Sequence, residues 1–205
     1  MRWIVGVYIL CFMLFALPVN ARDAWFDRGL RAYENQQYKK ALSAWKRSAR
    51  AENLTAMYNI GLLYERGSGV STSIPSAEKW YRKAAVNGHV DAQYRLANLL
   101  IIQGEKEEAV DWYQRAGKRG NLSAQYNLGL LYLRGKHVQK NLNKAFRWMK
   151  MAAEGGDLDA TFVLGQFYYN GYGVAKSQES AIYWFRRAKA AGHAKAAEIL
   201  DKLGQ

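Results

Sequence analysis

The sequence predicts an all-α solenoid of about five stacked antiparallel helix pairs closed by a C-terminal capping helix, and two observations carry the prediction. A segment typified by Ala124-Gln-Tyr-Asn-Leu-Gly-Leu-Leu-Tyr132 recurs in variants starting at Ala24, Ala56, Ala92, Ala124, Ala160 and Ala196. The steps of 32, 36, 32, 36 and 36 residues fall in the range of stacked helix-pair repeats. A second motif runs in phase with the first. Ala41, Ala77, Ala109, Ala145 and Ala181 each stand 15 residues before the next start; Trp80, Trp112, Trp148 and Trp184 follow their alanine by three, and Trp45 follows by four.

Taken in order, the elements begin with an export signal. Arg2 precedes an apolar run from Trp3 to Leu17, then Pro18, then Val19-Asn20-Ala21 as a small-residue cleavage site, which predicts a cut after Ala21. The alternative is an uncleaved membrane anchor, but the run is shorter than the roughly 20 apolar residues a spanning helix needs. Cys11 is preceded by Ile9 and Leu10, so a lipidated cysteine is disfavoured. Residues 22–205 then form the repeat domain, with units over residues 24–55, 56–91, 92–123, 124–159 and 160–195, and a cap over 196–205.

In each unit the first helix, A, shows apolar residues at helical spacing, such as Tyr126, Leu128, Leu131 and Tyr132. Gly129 in their midst costs about 1 kcal/mol against alanine in a helix interior. Its repetition at Gly29, Gly61 and Gly165, with Ala97 in the third unit, therefore points to close approach by the second helix, B. Helix B supplies the matching apolar residues, for example Ala145, Trp148, Met149 and Ala152. The tryptophans read as core, each able to place its ring N–H on a carbonyl or water. Gly88, Gly120, Gly156 and Gly192 end helix B as left-handed caps, with Glu52 at that place in the first unit. Asn53, Asn121 and Asp157 are the expected N-caps of the next helix A. His89 and His193 stand at the same place in their units and read as turn or cap residues. The glycine segments Gly67-Ser-Gly-Val70, Gly135-Lys-His-Val138 and Gly171-Tyr-Gly-Val174 have neither a preceding strand nor the spacing of a phosphate loop. They read as chain reversals along one edge of the solenoid.

The chain resembles the Sel1-like repeat family, a relative of the tetratricopeptide repeat, over nearly everything after the first twenty or so residues. Ala160-Thr-Phe-Val-Leu-Gly-Gln-Phe-Tyr168, Gly171-Tyr-Gly-Val174, Ala181-Ile-Tyr-Trp-Phe-Arg-Arg-Ala188 and Gly192 make up a nearly complete unit. The first and third units resemble tetratricopeptide units in their turn, because Gly29 and Ala97 lie 12 residues before the helix B alanine, whereas Gly61, Gly129 and Gly165 lie 16 before theirs. The resemblance implies a right-handed α-solenoid whose A helices line a concave groove. Carried over residue by residue, that groove holds Asn59, Leu62, Arg95, Asn98, Asn127, Leu130 and Gln166, with Arg66 and Arg134 at its rim. Such a groove is suited to a peptide or protein. Some secreted members of the family carry a disulfide in each repeat. This chain departs from them, since its one cysteine lies in the expected signal.

Net charge is +13, and +12 once Arg2 is removed, so an acidic partner is expected. In an exported protein this means an anionic envelope surface or an acidic protein; nucleic acid is not expected. The basic residues are ordered along helix B. Lys46, Arg82, Lys150 and Arg186 stand five after the alanine, with Arg47, Lys83, Arg115 and Arg187 beside them, which predicts a positive ridge on the convex side. No catalytic residue, cofactor site or metal cluster is predicted: the three histidines, His89, His137 and His193, fall in turns, and the carboxylates show no pairing suited to general acid and base work. The expected function is that of an exported, non-enzymatic scaffold for protein–protein interaction in the periplasm or outside the cell. A cell-wall or β-lactam-directed enzyme is the alternative, against which stand the missing disulfides and the missing Ser-x-x-Lys pattern. A polyanion-binding protein is the second alternative.

Overall fold

The computed structural model describes residues 19–205, with side chains from Ala24 onward. The expected signal lies outside the described residues except for its last three, which open the first helix. Among the described residues there are eleven helices and no strand. They alternate as A and B: α1 (Val19–Glu34) with α2 (Tyr38–Arg50), α3 (Leu54–Arg66) with α4 (Ile74–Val86), α5 (Val90–Gln103) with α6 (Lys106–Lys118), α7 (Leu122–Arg134) with α8 (Leu142–Glu154), and α9 (Leu158–Asn170) with α10 (Gln178–Ala190), followed by α11 (Ala194–Lys202). Each helix packs chiefly on the helices immediately before and after it in sequence, as a quasi-one-dimensional stack requires. Helices α3, α5, α7 and α9 begin two residues before the alanines used to phase the repeat, because the N-cap stands three before that alanine.

Those caps are side-chain bonds. Asn53, Asn121 and Asp157 accept from the backbone N–H of Ala56, Ala124 and Ala160 at 2.9, 2.8 and 2.7 Å, filling donors that the first turn leaves open. At the other end of the pair, Gly88, Gly120, Gly156 and Gly192 all take positive φ, from 91° to 98°, and Glu52 adopts φ 62° at the same place in the first unit. The glycine segments also behave as turns with a packing role. Gly69, at φ 71°, presses its Cα face on the start of α2, where a Cβ would lie 2.6 Å from Tyr38 Cβ and 2.8 Å from the Lys39 nitrogen. Gly173 meets Leu142 and Asn143 at the start of α8 in the same way. These two segments therefore tie the second unit to the first and the fifth to the fourth.

The helix A glycines meet helix B of their own unit. A Cβ on Gly61 would lie 2.6 Å from Tyr81 Cδ1, one on Gly165 2.6 Å from Phe185 Cδ1, and one on Gly129 2.8 Å from Met149 Cε. The residue opposite the glycine is thus the one four after the helix B alanine: Trp45, Tyr81, Met149 or Phe185. The tryptophans at the third position sit one step aside, and Trp148 reaches back to the preceding helix B, where a Cβ on Gly117 would be 3.0 Å from its ring. Trp112 and Trp184 are buried, while Trp80 and Trp148 are half-buried. Between units, buried Gln93 and Gln125 donate to the carbonyls of Ala85 and Gly117 at 3.0 and 2.8 Å, so the last turn of one helix B is bonded to the next helix A. Among the described residues no helix is long and apolar enough to cross a membrane.

Candidate binding surfaces

The exposed face of the A helices is built from positions two, three, six and ten after each phasing alanine. The second position is aromatic throughout: half-buried Tyr58, Tyr94 and Tyr126, then buried Phe162. Each of Tyr58, Tyr94 and Phe162 leans on the aromatic residue of its own helix B, with ring centroids 5.8 Å from Tyr81, 6.1 Å from Tyr113 and 5.7 Å from Phe185. At the third position Asn59, Arg95 and Asn127 are half-buried, as are Leu62, Asn98, Leu130 and Gln166 at the sixth. Arg66 and Arg134 at the tenth are exposed, and Arg66 donates to the Tyr33 hydroxyl of the first unit at 3.4 Å.

Two of the predicted groove positions are brought together by a residue that sequence reasoning did not single out. The Tyr113 hydroxyl of α6 emerges on this face and donates to Asn98 Oδ1 at 2.5 Å, while Asn127 Nδ2 donates to the same hydroxyl at 3.5 Å. One unit earlier, the Tyr81 hydroxyl donates to Glu65 Oε2, and the other oxygen of Glu65 lies 3.5 Å from Arg95 Nη1. The signal for this was present: only Tyr81 and Tyr113 put a hydroxyl on the buried ring opposite the glycine slot, and a buried hydroxyl needs a partner. Burial first, then the Glu65 carboxylate, pushes the Tyr81 hydroxyl far above the ordinary tyrosine range. Burial and Tyr94 push Tyr113 up to about 12 against the opposing bond from Asn127. Both stay protonated and serve as fixed donors, not as proton carriers.

Asn59 makes no side-chain hydrogen bond among the described residues. Gln166 lines a concavity of 890 Å³ at the C-terminal end of the face, together with Tyr126, Asp159, Phe162, His193 and Lys195. There His193 stacks on Phe162, with centroids 4.2 Å apart and planes 15° from parallel, and its Nε2 lies 3.6 Å from Asp159 Oδ1. His89 stacks on Tyr58 in the same way, at 4.8 Å and 16°. Its Nδ1 accepts the Ala92 N–H at 3.2 Å, so it is an N-cap in place of asparagine.

That cap requires a neutral ring, and burial holds the His89 pKa below its ordinary value against the pull of Asp91. A histidine that folding makes harder to protonate favours unfolding once the unfolded chain begins to take the proton. Its contribution is thus full above about pH 6.5 and declines as pH falls through and below that value. His89→Asn keeps the acceptor that Asn53 and Asn121 supply elsewhere. It should lessen the loss of melting temperature between about pH 7 and pH 5; an unchanged pH dependence would remove His89 from this role.

The predicted basic ridge is divided. Lys83, Arg115 and Arg187 lie over the rings of Trp80, Trp112 and Trp184 at 4.8, 4.7 and 5.0 Å from the centroids, and Arg47 over Trp25 at 4.3 Å. Arg82, by contrast, is held between Glu78 at 3.0 Å and Glu108 of the next helix B, whose carboxylate also accepts from Trp112 Nε1 at 3.0 Å. The Arg82 bond, and then that of Trp112, lowers the Glu108 pKa. Lys150 pairs with Glu154 at 3.7 Å, Arg186 donates to Gln205 at 2.9 Å, and Lys46 lies 5.9 Å over Tyr64. Of the ridge residues, Arg82 and Lys150 are therefore paired with carboxylates, while Lys46, Arg186 and the ring-stacked cations are not, among the described residues. Among these residues no three of His, Cys, Asp and Glu cluster as a metal site would need.

The Sel1 repeat family model matches residues 54–89, 122–157 and 158–193. The chain belongs to the Sel1 repeat family. A tetratricopeptide repeat model matches residues 74–122, which takes in all but the last residue of the third unit, one of the two units whose shorter A-to-B turn is tetratricopeptide-like. A Sel1 repeat protein from Oxalobacter formigenes is similar in structure, with TM-score 0.78 and 33% identity over 90% of this chain and 79% of that one. A protective antigen of uropathogenic Escherichia coli strains, displaying an SLR fold, has the same TM-score and identity over 88% of this chain and 41% of the antigen. An F-box protein of Arabidopsis thaliana is 35% identical over 75 residues, which are 36% of this chain and 20% of that protein. The protein is thus a Sel1 repeat scaffold related to tetratricopeptide repeats, an architecture that typically serves protein–protein interaction.

Proposed function

We propose that the protein is an exported, non-enzymatic scaffold of the cell envelope that holds a protein or peptide partner along its A-helix face. The observation that carries this is the strip in which half-buried Tyr58, Tyr94 and Tyr126 run beside the Asn98–Tyr113–Asn127 and Tyr81–Glu65–Arg95 bonds. Such a strip offers aromatic area at small entropic cost together with preorganised polar groups. Its hydroxyls are bonded donors that keep their protons, which favours binding over proton-transfer chemistry. Export is supported by the apolar run from Trp3 to Leu17 and by Val19-Asn20-Ala21. Intact mass of the protein recovered from its host should therefore begin at Arg22; a species that keeps Trp3 and fractionates with membranes would replace export by anchoring.

Capture from the native envelope tests the face directly. Wild-type protein and an Arg95→Ala, Asn127→Ala variant are used in parallel, and the bound proteins are identified by mass spectrometry. A partner retained by the wild type and lost by the variant supports the reading. A partner held equally by both places the contact elsewhere.

A further inference from the structure

Among the described residues, α1 and α2 are the first helix pair of the stack and pack on no pair before them. In every later unit the residue three after the helix B alanine is a tryptophan; in the first it is Ala44. The space beside it is a shallow concavity of 660 Å³ whose lining includes Trp25, Arg28, Arg31, Lys40 and Arg47. That lining holds four cations and no carboxylate, and none of the four takes part in an ion pair among the described residues. A terminal unit needs a polar outer face for solubility, but a mixture of signs meets that need. A single sign calls for another cause.

Two of the cations are held in place. The guanidinium carbons of Arg28 and Arg47 lie 5.0 and 4.3 Å from the Trp25 ring centroid. Stacking occupies the flat face of a guanidinium and leaves its in-plane N–H donors pointing outward. Those donors form the fork that grips a phosphate oxygen pair. Lys40 and Arg31 add charge from α2 and α1 across the same opening.

We propose that this end of the solenoid binds the phosphodiester headgroups of anionic lipids. The opening is broad and spans two helices, as suits a charged surface. The spread of four cations over two helices favours a charged surface over a single soluble phosphate, which one guanidinium fork can hold. A tryptophan set among arginine and lysine is also the side-chain composition of the bilayer–water interface. The site is separate from the A-helix face and does not depend on what that face binds.

Sedimentation with vesicles tests it, using the protein as recovered from its host. Binding to vesicles of mixed phosphatidylglycerol and phosphatidylcholine should exceed binding to phosphatidylcholine alone and should weaken with salt. At roughly fivefold per basic residue, Arg31→Gln with Lys40→Gln should lose about 20- to 30-fold. That pair leaves the Trp25 stack intact, and unchanged circular dichroism and melting temperature confirm the fold. Arg186→Gln with Arg187→Gln, at the far end of the stack, should change binding little. Equal binding to both vesicle types, or equal loss from both variant pairs, overturns the site. Full competition by a few millimolar inorganic phosphate also overturns it, because the ligand would then be a small anion and not a lipid surface.

Discussion

Gly165→Leu is expected to lower stability by about 3 kcal/mol or more, and Gly129→Leu by about 1–3 kcal/mol, the range for forcing extra methylenes into a packed core. The ordering comes from what each new side chain meets. At Gly165 a Cβ would already lie 2.6 Å from two atoms of the Phe185 ring, and Phe185 is 1% exposed. The ring is rigid and enclosed, so α9 and α10 must separate. At Gly129 the first atom met is Met149 Cε at 2.8 Å, with backbone atoms no nearer than 3.4 Å, and a methionine end can swing away. Alanine sharpens the contrast: Gly129→Ala should be close to neutral, since helix propensity returns about 1 kcal/mol, whereas Gly165→Ala should still destabilise. Thermal unfolding of the four variants decides it. If Gly165→Ala melts at or above the wild-type temperature, the A–B contact is looser than described and the helix glycines need another explanation.

The same contact shows what was legible in the sequence. The alanine and tryptophan periods fix the helix order, the helix A glycines announce a close approach, and Asn53, Asn121 and Asp157 announce where each helix A begins. All of these are local or periodic signals, which one chain displays by repetition. Sequence phase did not single out which helix B residue meets the glycine, because tryptophan is the more prominent residue and the true neighbour changes identity from unit to unit: Trp45, Tyr81, Met149, Phe185. The polar bonds on the A-helix face were hidden for a related reason. Glu65 sits outside the repeating positions, and Tyr113 belongs to helix B, which was not read as contributing to the A-helix face, yet its ring is long enough to bring a hydroxyl through to Asn98. Glu78 stands four before Arg82 on α4, so their pairing was within reach of the sequence; Glu108 lies on α6, and only stacking brings it to Arg82.

That pairing also decides how the two faces can be told apart. Replacing Arg95 and Asn127 with alanine should weaken binding of the captured partner by about 2–5 kcal/mol, the scale for losing buried charge-assisted bonds at an interface. The fold should survive. Tyr113 keeps its bond to Asn98 when Asn127 is removed, and Tyr81 keeps its bond to Glu65 when Arg95 is removed. For the opposite face, Arg82→Glu is the wrong probe, since it would set a third carboxylate between Glu78 and Glu108 and disturb packing between α4 and α6. Lys46→Glu with Arg186→Glu reverses charge where no carboxylate pairs with it among the described residues. This second pair should leave a groove-bound partner in place, as measured by titration calorimetry with the purified partner at fixed salt. Loss of the partner through Lys46 and Arg186, with indifference to Arg95 and Asn127, would move the functional surface from the A helices to the B helices.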